Sequence, residues 1–587
     1  MKSIILLFSV VVLLISSAFA QDMQYVSKKS GDTLFVKDDI EFFPGFNALY
    51  MLMRSDSLAP ASRVYFLKAG GIYSCWDDPA SSKKYRTIIM GPEQNLKTGT
   101  MSPPIISGYA PADFSSNGGM IVNKDLLVKN IDLEMGNIFG NNGWAWFGFS
   151  GPHMRLEVEN CIMEHTWWTW VGGPPGNQSI FFNNCYFVNL NGYPCRRNGG
   201  VVDFNGTTKH QDTLSVQNCT HVNTQGTLYR FRNGYTVDRV IFNHNDFIDC
   251  AGYVLMNSGD QTNLSITNNI FVNCQLQAYC PVLSKADVGE VDLDSLPMGL
   301  VNVRVDSTFT ANVGTHGVYV NRNLAYWDPK LNDIVSTLNA KPTNGNTRWV
   351  SQMIQMNTRT TNLFADKTSY PILYNGGWVS RKPAFVKTDV LFGTRLDVVK
   401  AYAIAAVDTG YGTPMPSWRQ ASNPEVDNFV HADWPIPIDL SYSDSDLLTG
   451  GLGGFPLGDL GWFSTQYAAW QAFQVAEAAA IQSALDGGST GVANTQQETP
   501  QKFELQQNYP NPFNPSTVIS YSLAKAVNVT LKVYSILGQE VATLVNGYQA
   551  ANTYHVDFDA SGLASGVYIY ELRSGSNVAS GKMLLMK

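Results

Sequence analysis

Charge is scarce in this chain of 587 residues: Asp, Glu, Lys and Arg together make up 15%, against about 25% in an ordinary soluble domain. What charge there is leans acidic, with 48 Asp and Glu against 40 Lys and Arg. The chain lacks the basic excess that a phosphate backbone requires, so nucleic acid is not an expected partner. Long apolar runs are missing too. Beyond the first twenty residues no stretch is apolar for long enough to span a bilayer. Those twenty, MKSIILLFSVVVLLISSAFA, carry Lys2, an apolar run over 4–14 and an Ala-Phe-Ala ending before Gln21. They read as a secretory leader, whose removal takes the formal charge from −8 to −9. Helical periodicity is nearly absent: the Ala-rich stretch 464–488, closed by Gly487-Gly488, is the one segment of helical composition.

What is present is repetition. VKNIDL, VENCIM, FNNCYF, VQNCTH, FNHNDF and ITNNIF recur between residues 128 and 271. Aligned on the third residue, they place Asn130, Asn160, Asn184, Asn218, His244 and Asn268 at one phase, 30, 24, 34, 26 and 24 residues apart. Such a period predicts a coiled stack of short strands in which each coil covers its hydrophobic face with the next. Within Leu264-Ser265-Ile266-Thr267-Asn268-Asn269-Ile270-Phe271, alternation points Ile266 and Phe271 inward. Asn268 is expected inside the bend, with Asn269 taking the left-handed conformation that asparagine tolerates. An interior amide must be satisfied, and the same amide one coil away offers donor and acceptor, so the asparagines form a structural ladder in which His244 fills one rung.

Eight cysteines in an exported chain would ordinarily suggest disulfides. Cys161, Cys185 and Cys219 each follow a ladder asparagine, and Cys250 and Cys274 share a later phase. Coils about 4.8 Å apart permit a disulfide but suit a column of thiols equally well. The repeat favours the column and leaves Cys75, Cys195 and Cys280 unassigned.

The expected organisation is a leader (1–20), a parallel β-helix (21–330), a wrapping or capping region ending in the helix (331–486), a small polar linker (487–503) and a C-terminal antiparallel β-sandwich (504–587). VYFLKAGGIY (64–73), RTIIMGPEQ (86–94) and PPIISGY (103–109) open the stack, 275–310 reads as a long loop, and VNRNLAYW (320–327) is a late rung. The fold class is thus all-β, a solenoid followed by a sandwich. Its periodicity and Asn-rich bends over about 30–330 resemble the right-handed parallel β-helix of the pectin-lyase-like superfamily.

The tail carries Tyr509-Pro510-Asn511-Pro512-Phe513-Asn514-Pro515, the Val533-Tyr534 to Leu537-Gly538 turn, Gly566-Val567-Tyr568 and Lys582-Met583-Leu584. In that order these motifs resemble the C-terminal sorting domain of type IX secretion cargo. The resemblance implies export to the periplasm and then across an outer membrane of a Gram-negative-type bacterium, with release or attachment to surface lipopolysaccharide. The type IX machinery is the implied partner of residues 504–587.

Chemistry is harder to place. A glycosidase needs paired carboxylates from neighbouring coils, yet Asp203, Asp238, Asp246, Asp249 and Glu164 fall at scattered phases, which disfavours a hydrolase. A uronate lyase needs cations and a base. Arg196, Arg197, Arg230 and Arg232 are the candidates to grip an anionic sugar, with Tyr229 or His210 as acid or base; an offset of 34 residues would set the two arginine pairs side by side. Asp203 or Asp238 could equally pair with them. Trp144, Trp146, Trp167, Trp168 and Trp170 lie in adjacent coils and suit sugar stacking if exposed, or burial under the wrapping region. No metal or cofactor site is evident; calcium is admitted only at Asp-rich turns such as Asp444-Ser445-Asp446, where no spaced ligand loop appears. The leading expectation is a surface protein that contacts extracellular polysaccharide or lipopolysaccharide, with a polysaccharide lyase and an envelope structural protein as alternatives.

Overall fold

In the computed structural model the residues described are 24–586 apart from 44, 46, 76–83, 109–118, 136–144, 167, 191–199, 205–208, 233–234, 258–259, 279–295, 304–316, 341–348, 390, 392, 394, 409–433, 488–502, 509–510, 524–526, 550–551 and 576. The leader, Trp144, Trp167, Cys195, Arg196, Arg197 and Cys280 fall outside them. The chain divides into two compact units, Met1–Gly488 and Ser489–Lys587.

The larger unit is mostly β, with long parallel sheets. Between residues 126 and 272 each turn of chain adds one strand to each of three sheets. Arg155–Glu159, Ile162–Glu164 and Thr169–Gly172 are followed one coil later by Ser179–Asn183, Tyr186–Val188 and Gly200–Phe204. The first sheet has twelve strands, the second ten and the third six. Alternation explains the burial: Leu156 and Val158 are buried while Glu157 and Glu159 between and beside them are not. Inside, rings from successive coils stack: Phe187 on His221 at 4.6 Å between centroids, His221 on Phe247 at 4.4 Å, and Phe247 on Phe271 at 5.1 Å.

The repeated asparagines sit at the corner between the first and second sheets. Asn130, Asn160, Asn184, Asn218, His244 and Asn268 all have positive φ, between 49° and 59°, and Arg322 continues the series at 55°. This corrects the assignment within the repeat. The left-handed residue is Asn268, not Asn269, because the bend needs it at the phase shared by every coil. Asn269 instead points inward, where Asn245 Nδ2 donates to Asn269 Oδ1 at 2.9 Å and Asn269 Nδ2 donates to Asn323 Oδ1 at 3.0 Å. Asn245 Nδ2 also donates to Val216 O at 2.9 Å, and Asn269 Nδ2 to Phe242 O at 3.1 Å.

In the preceding coils Cys161, Cys185 and Cys219 occupy the inward position that the asparagines fill later. Cys185 Sγ donates to Val158 O at 3.3 Å, a weaker form of the bond the later amides make. All six described cysteines are buried free thiols. A second left-handed column, His165, Asn189, Asn223, Asp249 and Asn273, marks the corner after the second sheet.

The coils continue past residue 330. Leu373–Asn375 pairs with Gly317–Asn321 on the first sheet, and Trp378–Val379 with Asn323–Tyr326 on the second. The helix Ser464–Leu485 forms where its composition predicts. Further helices at Ala48–Ser55, Thr358–Ala365 and Leu396–Asp408 were not anticipated. Much of the expected loop at 275–310 lies outside the described residues, but Leu300 and Val301 are core residues.

The smaller unit has one antiparallel sheet of three strands and one of four. Ile519, Tyr521, Leu531, Val533, Tyr570 and Leu572 form its core. The strands NVTLKVYSI, YHVDFD and GVYIYELRS occur as expected within Val527–Ser535, Asn552–Asp559 and Gly566–Ser574.

The inward amide column yields a first prediction. Asn269→Ala removes bonds to both neighbouring coils and leaves a buried backbone N–H and carbonyl without their partners, at a cost of about 1–3 kcal/mol. Urea denaturation should show a lowered midpoint. Alanine at part-exposed Asn263, on the strand Asp260–Thr267 that precedes the corner, should leave the midpoint nearly unchanged.

Candidate functional site

The first of the candidate clusters centres on one carboxylate. Asp203, on the third-sheet strand Gly200–Phe204, accepts from Trp168 Nε1 at 2.7 Å, from Arg232 Nη2 at 2.7 Å and Nε at 2.9 Å, and from Arg230 Nη1 at 3.4 Å. Burial alone would raise its pKa, but the Arg230 and Arg232 charges and the Trp168 bond hold it below the ordinary carboxylate range. Arg230 is buried, with only 4% of its side chain exposed, and Arg232 retains 27%.

The expected alignment of Arg196 and Arg197 with Arg230 and Arg232 lies outside the described residues. In the third sheet Val202 pairs with Tyr229 and Asp203 with Arg230, an offset of 27 residues, whereas Asn183 pairs with Gln217 in the first sheet, an offset of 34. The long coil carries most of its extra residues between the second and third sheets, so Asp203 arrives beside Arg230.

Tyr229 is fully buried in the core, where its hydroxyl lies 2.8 Å from His221 Nε2. It has no route to a surface ligand as acid or base. His221 is itself held neutral, its pKa pushed down to about 3 by burial. Trp146 and Trp170 are buried, with centroids 5.5 Å apart, and Trp168 is part-buried against Asp203. The two buried indoles, Trp146 and Trp170, offer no open stacking face. His210 does reach the surface, on the first-sheet strand Lys209–Gln217. At the Asp444-Ser445-Asp446 turn both carboxylates meet Arg381, at 2.8 and 2.5 Å, so an arginine occupies the place considered for calcium.

The corner ladder is a fastening rather than an open site. Lys97, fully buried, bonds Asp459 Oδ2 at 2.6 Å, Asn184 Oδ1 at 2.8 Å and Asn218 O at 2.8 Å. Asp459 also accepts from Thr220 Oγ1 at 2.7 Å and Gly461 N at 2.7 Å. Beside it, Asp246 is raised well above the carboxylate range, by burial first and by the Asp459 charge second, and so holds its proton.

One rung further, His244 Nε2 meets Glu477 Oε1 of the long helix at 3.1 Å, and His244 Nδ1 lies 3.3 Å from Gly458 O. Trp470 Nε1 and Asn243 Nδ2 donate to Glu477 Oε2 at 2.7 and 2.8 Å. Burial would raise the Glu477 pKa, but the His244 charge and these bonds lower it. The rung where the ladder skips an asparagine thus receives the helix together with its neighbour, since Asn268 Nδ2 also donates to Glu477 Oε1 at 3.2 Å.

On the second sheet Glu134 pairs in register with Glu164 of the next coil, and His165 Nε2 lies 3.7 Å from a carboxylate oxygen of each. All three side chains are buried. Sequence phases did not reveal this in-register carboxylate pair, because Glu134 lies in MGN-flanked sequence outside the six repeat words; the common spacing of 30 from Asn130 to Asn160 would have found it. The outer face of the second sheet further along is covered by Ile436, Ile438, Leu440, Leu457 and Trp462.

The first sheet differs. Its outward positions Ile88, Leu127, Glu157 and Phe181 form one row across four coils, and Lys129, Glu159, Asn183 and Gln217 another. All eight are partly exposed. The Arg155 guanidinium lies 3.8 Å from the Phe181 ring centroid, and Glu157 pairs with Arg86 and Arg155.

Among known families, residues 507–586 match the one described as "Secretion system C-terminal sorting domain". This tail marks the chain for type IX secretion and hence as a secreted or cell-surface protein. No curated protein matches the chain. One similar solved structure is the Ig1 domain of mouse SynCAM 2, 13% identical over 15% of this chain and 94% of that one, with a TM-score of 0.11. No described helix is long and apolar enough to cross a membrane.

The Lys97 fastening carries a prediction. Asp459→Asn leaves a buried ammonium without its counter-charge, and breaking such a pair costs about 3–5 kcal/mol. Thermal unfolding of this variant should begin well below that of the unaltered protein, with early protease cleavage in 436–463. The double variant Lys97→Met with Asp459→Asn should recover much of the loss.

Proposed function

We propose that the protein is a type IX-exported β-helix of the pectin-lyase-like kind that contacts extracellular polysaccharide through the open face of its first sheet. The single observation that carries this reading is the wetted double row running from Ile88 to Gln217, with Phe181 held under Arg155. Neighbouring coils repeat at about 4.8 Å, close to the rise of one extended sugar unit, so a linear glycan crossing the strands meets an equivalent position at each coil. The aromatic face supplies apolar contact and the flanking amides and charges supply hydrogen bonds to hydroxyls. This moves the contact surface from the Arg230 and Trp168 coils, whose polar groups are spent on Asp203, to the opposite kind of surface: exposed, polar in alternate positions and uncovered by the wrapping segment.

The uronate-lyase alternative retains His210 as the exposed candidate base, together with Arg196 and Arg197. An envelope structural role is favoured by the number of buried fastenings between coils and wrap.

Two measurements test the reading. Glycan-array binding by the purified protein should fall at least tenfold in Phe181→Ala and in Arg155→Ala. The thermal midpoint of Arg155→Ala should stay within about 2 °C of the parent because that side chain is exposed, and Phe181→Ala, which loses a part-buried ring, is assayed well below its own midpoint. Binding unchanged in both variants would remove the platform. With a panel of uronic-acid polysaccharides, no absorbance of unsaturated ends should develop, with or without calcium; its appearance would favour the lyase. For export, deletion of 507–586 should strand the chain in the periplasm, read by cell fractionation.

A further inference from the structure

His210 and Asp212 are alternate residues of the strand Lys209–Gln217, and Asp238 lies on the neighbouring strand Tyr235–Asn243. Alternation puts the first two on one face, and the pairing of His210 with Thr236 and of Thr213 with Arg239 brings Asp238 beside them. His210 Nε2 is 3.0 Å from Asp238 Oδ2 and 3.8 Å from Asp212 Oδ1. One nitrogen and one oxygen from each carboxylate all lie within 4.8 Å of one another.

We propose that these three side chains bind a divalent transition metal of the zinc class. A Zn²⁺ ion holds nitrogen and carboxylate oxygen at about 2.0–2.2 Å, which sets neighbouring ligand atoms about 3–3.6 Å apart in a tetrahedral shell. Two of the separations already fall at or near that range, and rotation of the exposed Asp212 carboxyl closes the third. The donor set agrees with the choice: one imidazole with two carboxylates suits zinc or its neighbours, whereas calcium prefers six or more oxygens. An ion bound here balances two carboxylates exactly in charge and removes the repulsion between Asp212 and Asp238.

The ring is also oriented for the task. His210 Nδ1 lies 3.0 Å from Thr236 Oγ1, so a proton on Nδ1 donated to that hydroxyl leaves the Nε2 lone pair for the metal, the second contact that fixes a ligating histidine. The side chains retain 42%, 44% and 55% exposure, which leaves an entry path and a coordination position for water. Three protein ligands with one open position is the pattern of a site that can exchange its fourth ligand.

Isothermal titration of the full exported chain with zinc chloride tests this. One ion should bind per chain, and His210→Ala and Asp238→Asn should each weaken binding at least tenfold. Thr236→Val should weaken it less, and calcium at the same concentration should not compete. The metal-free thermal midpoints of His210→Ala and Asp238→Asn should match the parent, since about half of each side chain is exposed. Absence of zinc binding overturns the proposal, as does zinc binding of unchanged affinity in both His210→Ala and Asp238→Asn, which would place the ion elsewhere, or displacement by equimolar calcium.

Discussion

Every coil of the larger unit has to turn a corner without leaving a buried backbone group unpaired, and a left-handed residue makes that turn. For most L-amino acids the left-handed conformation costs about 1–2 kcal/mol; asparagine accepts it because its short amide can bond locally. Once Asn130, Asn160, Asn184, Asn218 and Asn268 hold the bend, the next residue of each coil must point inward. That inward position has its own demand, since it faces a backbone carbonyl of the preceding coil. Thiols meet it at Cys161 and Cys185, and amides at Asn245, Asn269 and Asn323; the Cys219 thiol at the same phase turns to Gln217 O of its own coil. Strand registers, the stacked rings and the sheet faces follow from this corner geometry.

The corner also determines where the rest of the chain can attach. A column of left-handed residues presents side-chain amides and carbonyls along the outside of the stack, and the wrapping segment uses them in succession. Asp459 attaches through Lys97, which itself binds Asn184 and Asn218, Leu452 N donates to Asn268 Oδ1 at 2.9 Å, and Glu477 binds His244. These contacts bury charge, so their net worth is modest, but they are strongly directional: a wrap shifted by one coil would bury Lys97 or Glu477 without a partner. The fastening therefore specifies position more than it adds stability.

Much of this was legible in sequence and some was not, for physical reasons. The six repeat words located the first corner, because asparagine at a fixed phase is a direct trace of the bend. The second corner was missed: His165, Asn189, Asn223, Asp249 and Asn273 share the same spacings, but three residue types dilute the pattern. The role of His244 could not be read locally, since its partner Glu477 lies 233 residues away. The place of Arg230 beside Asp203 is not readable from a single offset, because the 34-residue turn adds most of its extra residues before the third sheet and the rest after it. By contrast, the 26-residue step from Asp212 to Asp238 equals that from Asn218 to His244, so their proximity was available from the repeat and was passed over.

The thiol column has a consequence for the order of events during export. Cys161, Cys185 and Cys219 are neighbours in space, each one coil from the next, and they remain thiols in the folded chain. A protein travelling the type IX route meets an oxidising compartment, and an unfolded chain there exposes all of these sulfurs together. Any bridge formed before the coils close would tie a corner residue out of its place and halt the stack at that point. Burial shields Cys161 and Cys219, whose thiols are raised well away from the reactive thiolate. Coil closure ahead of oxidation is what leaves these sulfurs as the buried free thiols of the finished stack.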